Sequence, residues 1–351
     1  LYRNAGILIL DEPTAVLTQP EAEKLFATLR TMTAEGLSLI FISHKLAEVM
    51  TAADRVVVLR GGKVVAERKT AETDRAELAE LMVGRRVTRP VREHQQPGAP
   101  LLICSDVSVV ENGQRRLDQA NFTVHAGEIL GIIGVAGNGQ TTLGRLVAGL
   151  VSPTSGTLQF AGGDIGHLGP RALIEKGFGR IPEDRHAEGV VDEMAVWENA
   201  VLERLHEPRF SGRGLVNRPA ARAFATELIT RFDIRGATPE TGTRLLSGGN
   251  MQKLILGRNL AGNPRLLLAN QPTRGLDEGA IAAVHAELLA ARKAGAGIIL
   301  ISEDLDEVLR IADRVQAIFK GRLSGARGVD RVKAGTIGLM MAGIWEADDA
   351  A

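Results

Sequence analysis

At 351 residues the chain has room for two domains of ordinary size, and 44% apolar residues are enough for packed cores. Lysine plus arginine and aspartate plus glutamate both number 42, so the formal charge is zero, without the basic excess or stripe that a long nucleic-acid footprint leaves. One cysteine excludes an internal disulfide framework and fits a reducing compartment, and the absence of any apolar run near the ~18 residues of a membrane span, or of a signal-peptide pattern, leads us to expect a soluble, cytoplasmic chain.

In chain order, Leu1 is not an initiator methionine, and Ile7-Leu-Ile-Leu10 already has the unbroken apolar character of a buried strand, predicted over 6–10. A domain seldom opens inside its central sheet, so further sequence before residue 1 is expected. Asp11-Glu-Pro-Thr14 follows. Thr18, with Glu21 three residues on, forms a capping box that opens a helix over 19–35. A strand over 37–43 ends at Ser43-His44, and a helix follows over 45–52. From Arg86 to Pro100 the chain is polar, carries three prolines and shows no apolar period, which reads as a linker.

Cys104 lies in the apolar run Leu101-Leu-Ile-Cys104, where a buried strand thiol is expected rather than a nucleophile. A strand over 129–133 runs into Gly134-Val-Ala-Gly-Asn-Gly-Gln-Thr-Thr142, which opens a helix over 140–150. A phosphate loop needs this context. Glycines at 134, 137 and 139 let successive N–H groups turn inward around a phosphate, and the helix N-terminus adds partial positive charge. Thr141 sits where a hydroxyl would ligate Mg²⁺. Gln140 stands where the motif calls for lysine, and a neutral amide forfeits about 1.5–3 kcal/mol of charged hydrogen bonding. Taken alone, the loop is equally well read as a glycine turn that binds nothing.

Helical patterns near 219–233 and 250–261 follow, then a strand over 265–269, a helix over 279–294 and a strand over 297–302. The second of these helices is preceded by Leu246-Ser-Gly-Gly-Asn-Met-Gln-Lys253. Ser247 there caps a helix whose free N–H groups, with Gly248 and Gly249, can grip a phosphate. Strands alternating with helices predict an α/β fold with a mostly parallel sheet covered on both faces.

An internal repeat organises the whole. At one offset of 259 residues, Asp11-Glu-Pro-Thr14 matches Asn270-Gln-Pro-Thr273 and Ser43-His44 matches Ser302-Glu303. Ala53-Asp-Arg-Val56 matches Ala312-Asp-Arg-Val315, and Leu81-Met-Val-Gly84 matches Met340-Met-Ala-Gly343, with no gap. The expected organisation is the later part of one unit over 1–85, a linker over 86–100, a second unit over 101–345 and a frayed tail over 346–351.

The run Leu246 to Lys253 closely resembles the signature of ABC ATPases, which weighs against an empty glycine turn at Gly134. Closest in pattern are the tandem-cassette subunits that energise uptake of simple sugars and nucleosides. Gly134-Val-Ala-Gly-Asn-Gly-Gln140, Ile181-Pro-Glu-Asp-Arg-His186 and Gln271-Pro-Thr-Arg-Gly-Leu-Asp277 look like that branch, and the glutamines at 140 and 271 like its nucleoside-transporting members. The resemblance implies a P-loop NTPase fold with a helical subdomain over about 190–245 that docks on transmembrane permease subunits. It implies ATP and Mg²⁺ as cofactors, a solute-binding protein as an indirect partner, no nucleic acid, and a peripheral place on the cytoplasmic face of the membrane. Trp197 and Phe210 would lie at the dock, or in the core, which is the safer reading for any single aromatic.

The resemblance also assigns roles. Asp11 would partner Mg²⁺, Glu12 would polarise the attacking water and His44 would contact the γ-phosphate, the residue types this chemistry needs. Gly134, Gly137, Asn138, Gly139, Gln140, Thr141 and Thr142 would cradle nucleotide, with Thr141 on the metal. Ser247, Gly248, Gly249 and Gln252 would grip ATP held by the opposite cassette. Thr18 replaces the usual aspartate after Glu12. In the second copy Asn270, Gln271 and Glu303 replace the metal carboxylate, the water-orienting carboxylate and the histidine. Glu183 stands where many cassettes carry glutamine, and no aromatic residue or histidine lies between Cys104 and Phe122 to stack on adenine. The second copy is therefore expected to be degenerate. The first copy's phosphate loop and signature would fall before residue 1, so this stretch alone is expected not to turn over MgATP. Two other classes stand beside a transport ATPase: a soluble tandem protein acting on ribosomes or DNA, for which a longer charged linker and two complete catalytic sets would be typical, and a non-catalytic regulatory cassette.

Overall fold

The computed structural model describes residues 6–14, 19–43, 45–60, 62–84 and 90–345. Its contacts divide the chain into two units, residues 1–89 with 275–283 and residues 90–274 with 284–351.

In the first unit β1 (Ile7–Asp11), α1 (Gln19–Ala34) and β2 (Ser38–Ile42) form a β–α–β crossover, with β1 and β2 parallel and Asp11 opposite Ile42. Side chains alternate across this small sheet. Leu8, Leu10, Leu39 and Phe41 pack with Ala22, Phe26 and Leu29 of α1. On the other face Ile7, Ile9, Ile40 and Ile42 are 52–65% exposed. Next come α2 (Leu46–Ala52), the hairpin of β3 (Arg55–Arg60) and β4 (Lys63–Lys69), and α3 (Arg75–Val83). Asp74 caps α3 by accepting from the Glu77 N–H, and Gly84 ends it in the left-handed conformation. Thr18, of the expected capping box, lies outside the described residues.

The second unit opens with β5 (Pro100–Glu111), β6 (Gln114–His125), β7 (Ile129–Ile133), α4 (Gln140–Val147), β8 (Ser155–Phe160), β9 (Gly163–Asp164), α5 (Pro170–Glu175) and β10 (Phe178–Ile181). A helical arm follows, with α6 (Val196–Val201), the short hairpin of β11 (Ser211–Gly212) and β12 (Leu215–Val216), α7 (Arg218–Arg231) and α8 (Gly248–Leu260). The chain then runs through β13 (Leu266–Asn270), α9 (Glu278–Lys293), β14 (Gly297–Ser302), α10 (Leu305–Ile311), β15 (Arg314–Phe319), β16 (Arg322–Leu323), β17 (Arg327–Gly328) and α11 (Ala334–Met341).

The main sheet has the order β10-β13-β14-β7-β15-β16, with β17 on β15. Its first five strands are parallel, and β16 and β17 are antiparallel. Every residue of β7, β13 and β14 is buried, as in a parallel sheet covered on both faces. A separate antiparallel sheet, β6-β5-β8-β9, shares one core with it: Leu102 and Phe122 meet Leu143 and Leu146 of α4 and Leu266, Leu268, Ile299 and Ile301. These last four residues match the exposed Ile7, Ile9, Ile40 and Ile42 through the repeat. Cys104 is buried in the same core, where desolvation pushes its thiol up to about 12.

Two placements refine the expectations. Pro90 onward belongs to the second unit, where Arg92 pairs with Asp313 and Asp330, and Glu93 with Lys293. Trp197 and Phe210 are both buried: Phe210 packs against Phe224 with ring centroids 5.2 Å apart and the rings tilted by 50°, and the Arg222 guanidinium covers Trp197 at 5.0 Å.

Candidate functional site

The strand β7 delivers the chain to the phosphate loop at its carboxyl end, where open α/β sheets bind ligands. Only glycine fits at 134, because a Cβ there would lie 2.6 Å from the Ile318 carbonyl. Gly137 and Gly139 take φ of +84° and +115°, which side-chain-bearing residues rarely adopt, and Gly139 is the N-cap of α4. The Gln140 side chain turns back into this loop. Its Oε1 accepts from the Asn138 N–H at 3.1 Å and its Nε2 donates to the Val135 carbonyl at 2.9 Å. The amide thus closes the loop from within and leaves one N–H fewer for a phosphate.

Neighbouring residues are engaged in other ways. The Asn138 side chain donates to Val135 O and accepts from Lys320 N, which ties the loop to the turn after β15. Thr142 is buried and donates to Glu111, which also pairs with Arg145. Thr141 is exposed at the mouth, and its hydroxyl donates to Glu183 Oε2 at 3.3 Å.

Behind the loop lies the end of β13. Asn270 is 7% exposed and its Oδ1 has no hydrogen-bond partner, while its Nδ2 lies 3.0 Å from where a Cβ on Gly144 would sit. Gln271 adopts φ +50°, donates its N–H to Ile301 O at 2.8 Å, and accepts from Glu303 N at 3.5 Å. Burial raises the Glu303 carboxyl above its ordinary range; Arg274 partly offsets this and the charge of Glu183 adds to it. Thr273 and Ser302 both donate to the buried Glu307, at 2.7 and 2.6 Å, and His285 Nε2 lies 2.9 Å from the same carboxylate.

The signature forms as expected at the start of α8. Ser247 is the N-cap, accepting from the Asn250 N–H, and Gly248 and Gly249 make the first turn. Gln252 is turned inward, where its amide donates to the Pro272 carbonyl at 2.7 Å. A chain of contacts joins signature and phosphate loop. The Arg185 guanidinium lies 3.1 Å from the position of a Cβ on Gly248, and its Nη1 donates to Arg274 O at 2.8 Å. Arg274 Nη1 in turn pairs with Glu183 Oε1 at 3.2 Å. Sequence reading singled out neither arginine. Both lie inside the quoted motifs, but nothing in the pattern says that they meet.

The first unit repeats the backbone of the second. Asp11 ends β1, Glu12 has φ +46°, and its N–H donates to Ile42 O at 2.9 Å. Thr14 and Ser43 donate to Glu48 at 2.7 and 3.2 Å, the counterpart of the Glu307 cluster. His44 lies outside the described residues.

A glycine cradle on a helix N-terminus with an exposed hydroxyl against a carboxylate suits a phosphate and its divalent cation. The comparisons give the family. A family model described as ABC transporter matches residues 117–274. The nucleoside import ATP-binding protein NupA of Lactococcus lactis subsp. cremoris is 40% identical over 98% of this chain, which covers 68% of that protein. The chain belongs to the ATP-binding proteins of ABC transporters. The guanosine import ATP-binding protein NupO of Bacillus subtilis is 42% identical with the same coverage, and the glucose import ATP-binding protein TsgD13 of Haloferax volcanii 43% identical. The chain spans about two thirds of the length of these relatives, from 63% to 68%. Among solved structures, a nucleotide-free ATP-binding cassette from an ABC transporter matches with a TM-score of 0.58 at 21% identity, covering 72% of this chain and 97% of that one. That likeness shows the cassette fold. Among the described residues no helix is long and apolar enough to cross a membrane.

Proposed function

We propose that this chain supplies ATP-driven force to an importer of simple sugars or nucleosides, and that its two units have different roles. The first unit carries the hydrolytic groups: Asp11 for Mg²⁺, Glu12 for the attacking water and His44 for the γ-phosphate. The second is degenerate; it binds nucleotide weakly through residues 134–142 and supplies the signature residues Ser247, Gly248 and Gly249. One observation carries the reading. Glu12 and Gln271 share the same left-handed backbone and the same N–H donation to the next strand, yet only the first ends in a carboxylate. An amide there cannot take up the developing proton of the attacking water.

The exposed Ile7, Ile9, Ile40 and Ile42 support reading the first unit as the later part of a cassette, because their counterparts lie under α4 and the antiparallel sheet. The helical arm would meet the permease, with the solute-binding protein delivering cargo from the other side of the membrane; Leu215 and Leu245, 75% and 73% exposed, suit such a dock. The test is uptake by the importer that contains this chain. Glu12→Gln should abolish ATP-driven uptake and Gln271→Ala should leave most of it. Equal losses would refute the asymmetry.

A further inference from the structure

The amino ends of β10 and β13 frame a hollow on the side of the main sheet away from the phosphate loop. It measures about 410 Å³ and lies among the turn between β8 and β9, the end of α5 and the residue before β13. We propose that this hollow binds a sugar phosphate, with Lys176 and Arg265 on the phosphate and Glu175 on a sugar hydroxyl. It is a different place from the nucleotide loop: at ~3.3 Å per residue, β13 puts Arg265 about 17 Å from Asn270.

Charge is the first observation. Lys176 follows the last residue of α5 and Arg265 precedes β13, and among the described residues neither side chain pairs with a carboxylate. The acids nearby are engaged elsewhere. Glu175, on the rim, pairs with Arg171 at 3.1 Å, and the Asp164 carboxylate accepts from the Gly166 N–H at 2.9 Å. The second observation is that Arg265 is already held in place. Its guanidinium lies 5.1 Å from the centroid of the Phe160 ring, which is itself packed against Phe178 at 4.5 Å. The Arg265 stem runs past Gly177, at φ +90°, with its Cγ 3.4 Å from the position of a Cβ there. A cation ordered in advance loses little freedom when it binds. A guanidinium fork beside an ammonium suits a phosphomonoester, which carries about −1.5 to −2 charge at pH 7.

Size and the remaining carboxylate narrow the class. The volume falls in the ~300–1,000 Å³ range of small-molecule sites, more than a bare phosphate fills. Glu175 repels a further anionic group but accepts from a hydroxyl. A lipid headgroup carries the same phosphate chemistry, but the lining offers no exposed large apolar side chain to enter a bilayer: Phe160 is 5% exposed, and Ala161 and Gly163 are small. Two solvated surface cations are the blander account, and that account gives no saturable binding. ATP-dependent phosphorylation turns an imported sugar into such a phosphomonoester, so the reaction class that consumes the cargo would supply this ligand. That last step, unlike the binding itself, rests on the reading of the chain as part of an importer.

The experiment is calorimetry with phosphorus nuclear magnetic resonance on the 351-residue chain, using ribose 5-phosphate, inorganic phosphate and vesicles of phosphatidic acid in phosphatidylcholine. Ribose 5-phosphate should bind saturably and about fivefold or more tightly than inorganic phosphate. Lys176→Ala and Arg265→Ala should each weaken it about tenfold, and Arg265→Lys should keep part of the affinity. Glu175→Leu should remove the preference over inorganic phosphate. Affinity for a non-hydrolysable ATP analogue should stay within about twofold in every variant, which separates this hollow from the phosphate loop. No saturable binding by the native chain below ~10 mM, or native affinity in both alanine variants, overturns the proposal. So does equal affinity for inorganic phosphate, an unchanged preference in Glu175→Leu, or a parallel loss of the ATP analogue. Vesicle binding that ribose 5-phosphate cannot displace assigns the hollow to a lipid headgroup and overturns it as well. Each of these outcomes leaves the importer reading standing, since the Glu12→Gln uptake test decides that separately. Thermal melts identify any variant that fails to fold, in which case the remaining variants decide.

Discussion

Thr14 donates to Glu48 at 2.7 Å, and 259 residues later Thr273 donates to Glu307 at the same distance. In both units the glutamate also accepts from the serine that closes the next strand, Ser43 or Ser302. The loop after the first strand and the end of the second are therefore fastened by one carboxylate in each copy, whether the turn before it carries Glu12 or Gln271. The two clusters differ in depth. Glu307 is 3% exposed and takes His285 as a third partner, whereas the Glu48 side chain is 12% exposed and pairs with Lys45. Glu307→Ala strands the buried Ser302 and His285 and the half-buried Thr273 and should cost about 3 kcal/mol or more, against about 1–2 kcal/mol for Glu48→Ala. Urea unfolding followed by tryptophan fluorescence checks the larger effect, since Trp197 and Trp345 both lie in the second unit. A loss below about 1 kcal/mol in Glu307→Ala would show that the cluster is not structural.

On the proposed reading of residues 134–142 as a nucleotide site, Gln140 limits its affinity. Replacing it with lysine frees the Asn138 N–H and returns a positive charge to the cradle. If about 1.4 kcal/mol of charged interaction is recovered, Gln140→Lys should bind nucleotide roughly tenfold more tightly. Calorimetry on both forms measures this directly, and an unchanged or weaker affinity would mean that the loop does not meet phosphate.

The second unit carries a pH-dependent tie outside the site. Glu128 is completely buried, accepts from the His125 backbone, and pairs with Arg314 across neighbouring strands of the main sheet. Burial opposes its ionisation, but the Arg314 hydrogen bond and charge win and hold the carboxyl below its ordinary value. A group with a depressed folded pKa contributes stability above its unfolded pKa, about 4.3, and loses it as pH falls toward the folded value. Acid unfolding should therefore gain steepness from Glu128 below about pH 4.3. In Glu128→Gln that part of the pH dependence should vanish, which circular dichroism across an acid titration can follow. Arg314→Met leaves the buried carboxylate without its guanidinium, held by His125 alone, and should cost about 3–5 kcal/mol near neutrality.

The face of β1 and β2 that carries Ile7, Ile9, Ile40 and Ile42 should make the isolated chain self-associate. Ile9→Lys with Ile40→Thr should shift it toward monomer in sedimentation velocity with little loss of folding, because neither side chain belongs to the cluster around Phe26. An unchanged distribution would place the sticky surface elsewhere.

The sequence made the parallel half of the fold legible and the antiparallel half nearly invisible. Strands expected over 129–133 and 297–302 appear with those bounds, because a strand buried on both faces reads as an unbroken apolar run between helices. The β5–β6 hairpin escaped notice. Its register shifts at four places, so the period-two alternation is broken, although Asn112-Gly113 at its turn was a usable signal. In the site, the glycines of the loop and the cap at Ser247 lie where local chemistry put them. Arg185 and Arg274 could not be found, since their role arises only from chain segments 89 residues apart meeting over the signature helix. Gln252 and Thr142 are singled out by their motifs; that both side chains turn inward follows from helical phase, which the motifs do not state.

Glu12 and Gln271 offer a closing test of what each copy retains. A side-chain-bearing residue at φ near +50° costs roughly 1 kcal/mol relative to glycine, so both positions hold local strain. In the first unit the strain aims a carboxylate. In the second, the Gln271 side chain makes one hydrogen bond among the described residues, the 3.5 Å approach of Glu303 N, too long to repay much. Gln271→Gly should therefore be neutral or stabilise the second unit by up to about 1 kcal/mol, even though glycine makes the unfolded chain more flexible. Urea titration with tryptophan fluorescence reads this unit. A loss of 1 kcal/mol or more in Gln271→Gly would mean that the glutamine side chain supports the second unit's fold beyond its backbone turn.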